Sequence, residues 1–274
     1  MNHYIFKEET IVKKISLLII SLFVVGILAA CGTSTKEGND ASSGSEEEKK
    51  VLKMGTSADY PPFEYIDTAK GSDIIGFDVD LANALAEKTG YEIKVQDMDF
   101  NSLIPALQAK QIDIVLAGMT PTPEREENVD FSEIYYSKDQ TVITLKKNEL
   151  KSVEELKDKT VGVQLGSIQE EAAQEVSKQI PIKIENRNKI SDIIQELKTG
   201  RFDAAIVETA VANGYFESDQ NLAGFKLEAA GDAGSAVAFQ KDSPVTKKFN
   251  DALIEMKENG ELDELIAKWF GGEE

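Results

Sequence analysis

Residues 112–125 decide the fold, and they read Ile112-Asp113-Ile114-Val115-Leu116-Ala117-Gly118-Met119-Thr120-Pro121-Thr122-Pro123-Glu124-Arg125. The first six residues form a near-continuous apolar run, which is typical of a strand buried on both faces. Thr122 is a good N-cap and Pro123 suits the first helical position, so a short helix is predicted to follow. Arg125 would project from its first turn, where a guanidinium suits a carboxylate; an ordinary surface arginine is the alternative.

On both sides of this stretch, β-rich runs alternate with helical patterns, which predicts an α/β architecture with largely parallel sheets. In the first half we predict strands at 51–55 and 92–96, a helix at 76–90 that ends at Gly90, and a helix at 101–110 capped by Asn101. In the second half we predict strands at 160–165, 182–184, 203–207 and 236–239, and helices at 167–177, 191–199, 245–258 and 261–270. The last two helices are expected to pack back on the first unit.

Two further strand ends carry candidate binding residues. The segment Gly166-Ser167-Ile168-Gln169-Glu170 follows a predicted strand and has the spacing of a capping box, so a helix N-terminus is expected there. The run 203–207 delivers Glu208 at its exit, where a carboxylate could pair with an ammonium group or simply be solvated. Ligands of α/β proteins bind at the carboxyl ends of parallel strands, so these features suggest a site for a small anionic ligand.

The composition favours binding over catalysis. The 274 residues include 30 Lys and Arg against 49 Asp and Glu, a net charge of −19, with one Cys and one His. These counts exclude an internal disulfide and a zinc site built from Cys and His; His3 also precedes a segment expected to be removed. His-based nucleophile activation is therefore excluded as well. The acidic surface repels phosphate backbones, so no nucleic-acid partner is expected, and neither a metal nor a cofactor is predicted.

Residues 1–30 have the pattern of a lipoprotein signal peptide. An uncharged apolar stretch at 15–30 follows Lys7, Lys13 and Lys14, and it leads into Leu28-Ala29-Ala30-Cys31-Gly32, which looks like a bacterial lipobox. Cys31 would carry the lipid, and residues 31–50, which have no large apolar side chain, would form a flexible tether. A retained membrane helix with an incidental cysteine is the alternative, although the apolar stretch is short for a span.

Five stretches occur in a fixed order along the folded part: Gly55-Thr56-Ser57-Ala58-Asp59-Tyr60-Pro61-Pro62-Phe63-Glu64, Gly76-Phe77-Asp78-Val79-Asp80-Leu81-Ala82, residues 118–125, Val161-Gly162-Val163-Gln164-Leu165-Gly166-Ser167, and Lys268-Trp269-Phe270-Gly271. Together they resemble the solute-binding protein family 3, the extracytoplasmic amino-acid receptors of ABC importers. The resemblance covers residues 51–274. One stretch alone would be a weak signal, whereas five in order are highly specific.

The resemblance implies a periplasmic-binding-protein-like fold, in which two α/β lobes are joined by a two-stranded hinge and close over a ligand. Lobe 1 would be residues 51–138 plus 233–274, and lobe 2 would be residues 139–232. The implied partners are a free amino acid, an ABC permease and its ATPase. The chain would contact the membrane only through the lipid on Cys31, on the extracytoplasmic face of the cell membrane, at a Gram-positive cell surface.

The resemblance also implies a role for each site residue. The residues expected to hold the α-carboxylate of the ligand are Arg125, Thr120, Ser167 and Ile168. The α-ammonium group would be held by the backbone at Gly118 and by Glu208, where relatives often have Asp. Tyr60 and Phe100 would sandwich the ligand side chain; both are also candidates for ordinary core positions. The other positions expected to line the side-chain end are Ser57, Asp59, Gln164 and Val207.

The resemblance leaves the ligand open. Residues 118–120 and 162–164 together with Glu208 look most like arginine-binding relatives, and aromatic walls suit a guanidinium. Glutamine or another polar amino acid is the alternative. Some relatives are enzymes, such as dehydratases, and others are sensor domains. Enzyme activity would need a second acid over the substrate, and the sequence shows none beside Glu208, so a non-enzymatic receptor is predicted.

Overall fold

The computed structural model describes residues 50–68, 71–148, 150–228 and 233–271. The predicted signal peptide, Cys31 and the tether up to residue 49 lie outside these described residues. Lys50, predicted as the last residue of the tether, is instead the first residue of a strand. Within the described ranges, no helix combines the length and the apolar character that crossing a bilayer requires.

Thirteen strands and eight α-helices follow one another along the described part of the chain. The strands are β1 (Lys50–Thr56), β2 (Asp59–Tyr60), β3 (Glu64–Ile66), β4 (Ile74–Ile75), β5 (Tyr91–Asp97), β6 (Ile114–Val115), β7 (Val129–Lys138), β8 (Gln140–Leu145), β9 (Thr160–Gln164), β10 (Lys183–Arg187), β11 (Ala204–Glu208), β12 (Leu222–Leu227) and β13 (Ala233–Gln240). The helices are α1 (Phe77–Thr89), α2 (Leu103–Gln108), α3 (Pro123–Glu126), α4 (Ile168–Gln179), α5 (Ile190–Thr199), α6 (Thr209–Ser218), α7 (Thr246–Asn259) and α8 (Glu261–Phe270). Short 3-10 helices occupy Phe100–Ser102, Lys146–Asn148 and Glu154–Leu156.

Two five-stranded sheets, each with helices packed against it, form the two lobes. The first sheet has the order β5-β1-β6-β13-β7 and the second has the order β10-β9-β11-β8-β12. In each sheet three strands are parallel, and the other two pair antiparallel. The expectation of largely parallel sheets is therefore only partly right, since each sheet also contains two strands in antiparallel pairing. These strands, β7 and β13 in the first sheet and β8 and β12 in the second, are the ones that connect the lobes.

Two antiparallel strand pairs form the connection between the lobes. Strand β7 pairs with β13 in the first sheet, from Val129 opposite Gln240 to Lys138 opposite Ala233. One residue after β7, the chain enters β8, which pairs with β12 in the second sheet. The predicted fold class, two α/β lobes with a two-stranded hinge, is confirmed. The lobe boundaries predicted from the sequence stay a prediction.

Helix α1 connects the first sheet to the last two helices. It begins after Gly76, ends at Gly90 in the left-handed conformation, and buries Phe77, Leu81 and Leu85 in the core. On its solvent side, the carboxylate of Asp80 accepts a hydrogen bond of 2.7 Å from the Trp269 indole N–H. Helices α7 and α8 therefore pack against α1, although they come nearly 160 residues later in the chain.

Local signals gave good element boundaries, with two errors. Asn101 does not cap a helix: it lies inside the 3-10 helix Phe100–Ser102, and α2 begins only at Leu103. The apolar run 112–117 is buried as predicted, but only Ile114–Val115 pairs as a strand. The sequence analysis also missed six strands and one helix, namely β2, β3, β4, β7, β8, β12 and α6.

Candidate functional site

The candidate site is a cleft between the lobes, at the carboxyl ends of β6 and β9. It is lined by residues of both lobes. Nine of the ten ligand-binding residues predicted from the sequence line it: Ser57, Tyr60, Phe100, Gly118, Thr120, Arg125, Gln164, Ser167 and Ile168. The tenth, Glu208, lies directly behind Tyr60. The lining residues that the sequence analysis missed are Glu64, Ala117 and Gln169.

Arg125 is a buried cation held by both lobes. The predicted cap is present, because the Thr122 hydroxyl accepts a hydrogen bond from the Arg125 N–H and Pro123 is the first residue of α3. The guanidinium donates to the carbonyl of Thr120 at 2.7 Å and to the carbonyl of Gly166, in the other lobe, at 2.8 Å. Burial lowers the pKa of Arg125, and no carboxylate of the described residues forms an ion pair with it. Such a cation is well placed to bind an anion.

The Phe100 ring and the Thr120 hydroxyl complete the surroundings of this guanidinium. The guanidinium carbon lies 5.5 Å from the centre of the Phe100 ring, a distance at which cation–π attraction operates. The Thr120 hydroxyl oxygen is buried and has no hydrogen-bond partner among the described residues. A buried hydroxyl in that state leaves a hydrogen bond for a bound molecule to make.

Helix α4 points its N-terminus at the same cleft. Ser167 is its N-cap and accepts a hydrogen bond from the Glu170 N–H, as the capping-box spacing predicts. The reciprocal bond is shifted by one residue, since the Glu170 carboxylate accepts from the Gly166 N–H at 2.7 Å. The free N–H groups of the first turn and the helix dipole both favour an anion at this end of the cleft.

Two buried acidic residues lie at the cleft or next to it: Glu64 lines it, and Glu208 contacts the cleft residue Tyr60. Glu208 is not a solvated strand end, because it is only 1% exposed, at the junction of β11 and α6. Its backbone N–H donates to the Tyr60 hydroxyl across the lobe interface at 3.2 Å. A further buried acid, Glu64, lines the cleft, and the sequence analysis did not single it out. Glu64 could be noticed in the sequence only as an acid directly after Pro61-Pro62-Phe63.

Asp78 fixes the backbone of Gly118 in this acidic region. Its carboxylate accepts a hydrogen bond of 2.7 Å from the Gly118 N–H and one of 2.8 Å from the Tyr135 hydroxyl. Gly118 has a φ of +54°, a conformation that residues with a side chain rarely adopt. Asp78, a buried acid, therefore stabilises the turn that places Gly118 and Thr120 on the cleft.

Two more aspartates join the lobes across the mouth of the cleft. Helix α5 has no side-chain cap of its own, and the Asp59 carboxylate in the other lobe accepts a hydrogen bond from its Ile190 N–H. Asp99 accepts a hydrogen bond of 2.7 Å from the Asn188 amide. Burial raises the pKa of Asp59, and the hydrogen bonds it accepts oppose that shift. The described structure is thus one in which the lobes are in contact.

Two of the polar residues expected at the side-chain end of a ligand, Ser57 and Gln164, form hydrogen bonds within the protein. The Ser57 hydroxyl donates to Asp59 at 3.0 Å, and the Gln164 amide donates to the Asn188 carbonyl at 3.1 Å. Both still line the cleft. Each can therefore exchange a bond within the protein for one to a bound molecule.

Comparison with known proteins identifies the class of this chain. Residues 52–272 match the model of the bacterial extracellular solute-binding proteins, family 3. The chain is 56% identical to the arginine-binding extracellular protein ArtP of Bacillus subtilis (strain 168), over 95% of this chain and 99% of that protein. An ancestral arginine-binding protein, solved once with arginine and once with glutamine, is 40% identical, with a TM-score of 0.76 over 81% of this chain and 99% of that one.

This chain belongs to the bacterial extracellular solute-binding proteins, family 3. It is a binding protein rather than an enzyme, in agreement with its relatives.

Proposed function

We propose that this chain is the receptor of an ABC importer for a polar amino acid, and that arginine is its first candidate ligand. The observation that carries the proposal is the polarity of the cleft. Arg125 lines the cleft, buried and without a carboxylate partner in the described residues, and Glu208 is buried next to the cleft residue Tyr60. An amino acid carries a carboxylate and an ammonium group a few ångströms apart, so both charges can be satisfied at once.

The α-carboxylate would bind at the Arg125 end. In this proposal the guanidinium gives up its bonds to the carbonyls of Thr120 and Gly166 and donates a two-pronged pair to the ligand. The Thr120 hydroxyl supplies a further hydrogen bond, and the N-terminal turn that follows Ser167, beginning at Ile168, adds backbone N–H groups.

The α-ammonium group would bind between Glu208 and the Gly118 carbonyl. The rings of Tyr60 and Phe100 would then enclose the ligand side chain, and Ser57 and Gln164 would meet its polar end. A charge-assisted hydrogen bond contributes on the order of 1.5–3 kcal/mol, and micromolar binding needs about 8 kcal/mol. A handful of such contacts is therefore sufficient.

Arginine ranks above glutamine because of the relatives and the aromatic walls. The 56%-identical relative is named for arginine, while the ancestral protein was solved with either amino acid. A guanidinium gains cation–π attraction between aromatic rings, whereas the neutral amide of glutamine gains much less.

A thermal-shift screen of the twenty amino acids is expected to show the largest increase in melting temperature with arginine. At 1,000 times the dissociation constant a ligand adds about 4 kcal/mol of stability. For a chain of this size that corresponds to a rise of roughly 10 °C. The opposite enantiomer, D-arginine, is the control and should give little shift. A shift with glutamine and none with arginine would reverse the ranking.

We also propose that the receptor is held at the extracytoplasmic face of the cell membrane by a lipid on Cys31. The support is the lipobox pattern at 28–32, together with the tether that follows it. Two acyl chains anchor stably, where one gives only marginal binding. The folded part, with lobes of 51–138 plus 233–274 and 139–232, would then deliver its ligand to a permease and ATPase in the same membrane.

Cys31→Ser is expected to move the protein from the membrane fraction to the culture medium. Serine has no thiol to receive the lipid, so the two-chain anchor is lost while the folded part is unchanged. Fractionation of expressing cells and immunoblotting measure the distribution. Ser34→Ala, a change in the adjoining tether, is the control and should stay with the membrane. Equal membrane retention of a Cys31→Ser protein from which residues 1–30 have been removed would contradict lipid anchoring at this residue.

A further inference from the structure

A hydrogen-bonded link runs from the cleft to the contact between the lobes through Asp59. Ser57 lines the cleft and is only 4% exposed, and its hydroxyl donates to the Asp59 carboxylate at 3.0 Å. The other oxygen of this carboxylate accepts from the Ile190 N–H, at the start of α5 in the opposite lobe. We call these three residues the Asp59 link. Through it, a residue of the cleft is bonded to a side chain that holds the lobes together.

A second link, through Asn188, runs in the opposite direction. Gln164 of the lobe that contains the second sheet lines the cleft, and its side-chain amide donates to the Asn188 carbonyl at 3.1 Å. The Asn188 side chain in turn donates to Asp99 of the other lobe at 2.7 Å. We call these three residues the Asn188 link. The two links meet at residues 188–190, where β10 is joined to α5.

The two links occupy donor groups of the cleft residues and leave their acceptors. A carbonyl and a carboxylate both accept, so the amide nitrogen of Gln164 must face Asn188 and the hydroxyl hydrogen of Ser57 must face Asp59. The Oε1 atom of Gln164 has no hydrogen-bond donor among the described residues. A serine hydroxyl that donates still has lone pairs with which to accept. With both links intact, these two residues therefore offer acceptors to the side chain of a ligand.

We propose that the two links make Ser57 and Gln164 select a ligand side chain that ends in hydrogen-bond donors. A guanidinium has five N–H donors and no acceptor, so it can bind both residues while both links stay intact. A side chain that ends in a carboxylate or a ureido oxygen brings an acceptor, and to meet it the two residues must turn their donors away from Asp59 and Asn188. Such a ligand weakens the contact between the lobes as it binds. This inference rests on the proposed function, since it concerns the side-chain end of an amino-acid ligand.

The outer residues of the links are positioning residues for this selection. Asp99 and Asn188 do not line the cleft, and they act on the ligand through Gln164. Without the hydrogen bond between Asn188 and Asp99, the Asn188 carbonyl is free to move, and the amide nitrogen of Gln164 can turn toward the cleft. The expected consequence is a loss of selectivity between ligands that differ in their side-chain ends.

The Asn188 link is tested by the dissociation constants of arginine and citrulline, measured by titration calorimetry. Citrulline has the size of arginine, but its uncharged end presents an oxygen acceptor where arginine presents a donor. For the wild type we expect arginine to bind roughly 100-fold more tightly than citrulline. Asn188→Ala and Asp99→Ala remove the two ends of the same hydrogen bond, so each should lower this selectivity ratio by about threefold to tenfold.

Two control variants separate the hydrogen bond from the charge of Asp99. Asp99→Asn removes the charge but keeps an oxygen that can accept from Asn188, so its selectivity ratio should stay near the wild-type value. Asn221→Ala removes an exposed amide that donates to Asp219 within one lobe, and it should also behave as the wild type. A ratio that falls as far in Asp99→Asn as in Asp99→Ala would assign the effect to charge and overturn the inference.

A double-mutant cycle tests whether the Asn188 link acts through Gln164. Gln164→Leu already breaks the first bond of the link, so adding Asn188→Ala should change the selectivity ratio no further. Additive effects of the two substitutions would mean that Asn188 acts independently of the cleft residue. That result would also overturn the inference.

The same measurements separate this inference from the proposed function. If no polar amino acid gives a binding heat, the proposed function fails. If the wild type binds a polar amino acid but does not prefer arginine to citrulline, the inference fails and the receptor function stands. The inference fails in the same way if the selectivity ratio is unchanged in both Asn188→Ala and Asp99→Ala.

Discussion

Arg125→Ala is expected to weaken arginine binding by about 100-fold or more. The substitution removes the only guanidinium that lines the described cleft, and with it two charge-assisted hydrogen bonds of about 1.5–3 kcal/mol each. It also leaves the ligand carboxylate buried without a counter-charge, which adds to the cost. Titration calorimetry of the purified variant gives the dissociation constant directly.

Two further variants make the Arg125 result specific. Arg125→Lys retains the charge but loses the planar fork, so we expect an intermediate loss of roughly tenfold. Arg201→Ala removes an arginine from an exposed position of lobe 2, 74% exposed at its side chain, and should not change affinity. Unfolding in urea without ligand tests whether the fold survives. An unchanged dissociation constant in a folded Arg125→Ala would place the carboxylate site elsewhere.

Glu208→Gln is expected to weaken arginine binding by about 10-fold to 100-fold, which corresponds to about 1.5–3 kcal/mol. The amide keeps the size of the side chain, and it removes the negative charge that would face the α-ammonium group. Glu217→Gln is the matched control, because Glu217 lies on α6, the helix that begins after Glu208, but is exposed.

An arginine analogue without the α-ammonium group shows which part of the ligand Glu208 meets. If Glu208 holds the ammonium group, the wild type and Glu208→Gln should bind the analogue with similar affinity, because the lost partner is already missing. A full loss with the analogue as well would assign Glu208 to the guanidinium end instead.

The sequence predicted helix ends well, because a single capping residue determines the local backbone there. Thr122 and Ser167 cap helices because their hydroxyls reach N–H groups three residues ahead, which the spacing alone reveals. Gly90 and Gly200 end helices because both adopt the left-handed conformation, with a φ of +79°. The helices that Thr122 and Ser167 cap place Arg125 and Ile168 on the cleft, so this part of the site could be predicted from the sequence.

The features of the fold and site that the sequence did not predict depend on contacts between residues that are far apart in the chain. Glu64 is buried and lines the cleft next to Gly118, 54 residues later in the chain, and no local pattern reports that. Strands β7, β8 and β12 carry mixed polar and apolar residues, and their pairing rather than their periodicity defines them. Asn101 looked like a cap because the tight 3-10 turn around it has the same polar residues as a helix start.

The hydrogen bond between Asp59 and helix α5 affects how readily the lobes separate and release a ligand. The first turn of α5 is completed by a residue of the opposite lobe, so separating the lobes exposes N–H groups that have no side chain of their own helix to bind. Opening therefore carries an energetic cost that is independent of the ligand, of the size that losing a helix cap imposes, about 1 kcal/mol. The dissociation rate of a bound ligand therefore depends partly on the hydrogen bond between Asp59 and helix α5, which is a contact between the lobes and not a contact with the ligand.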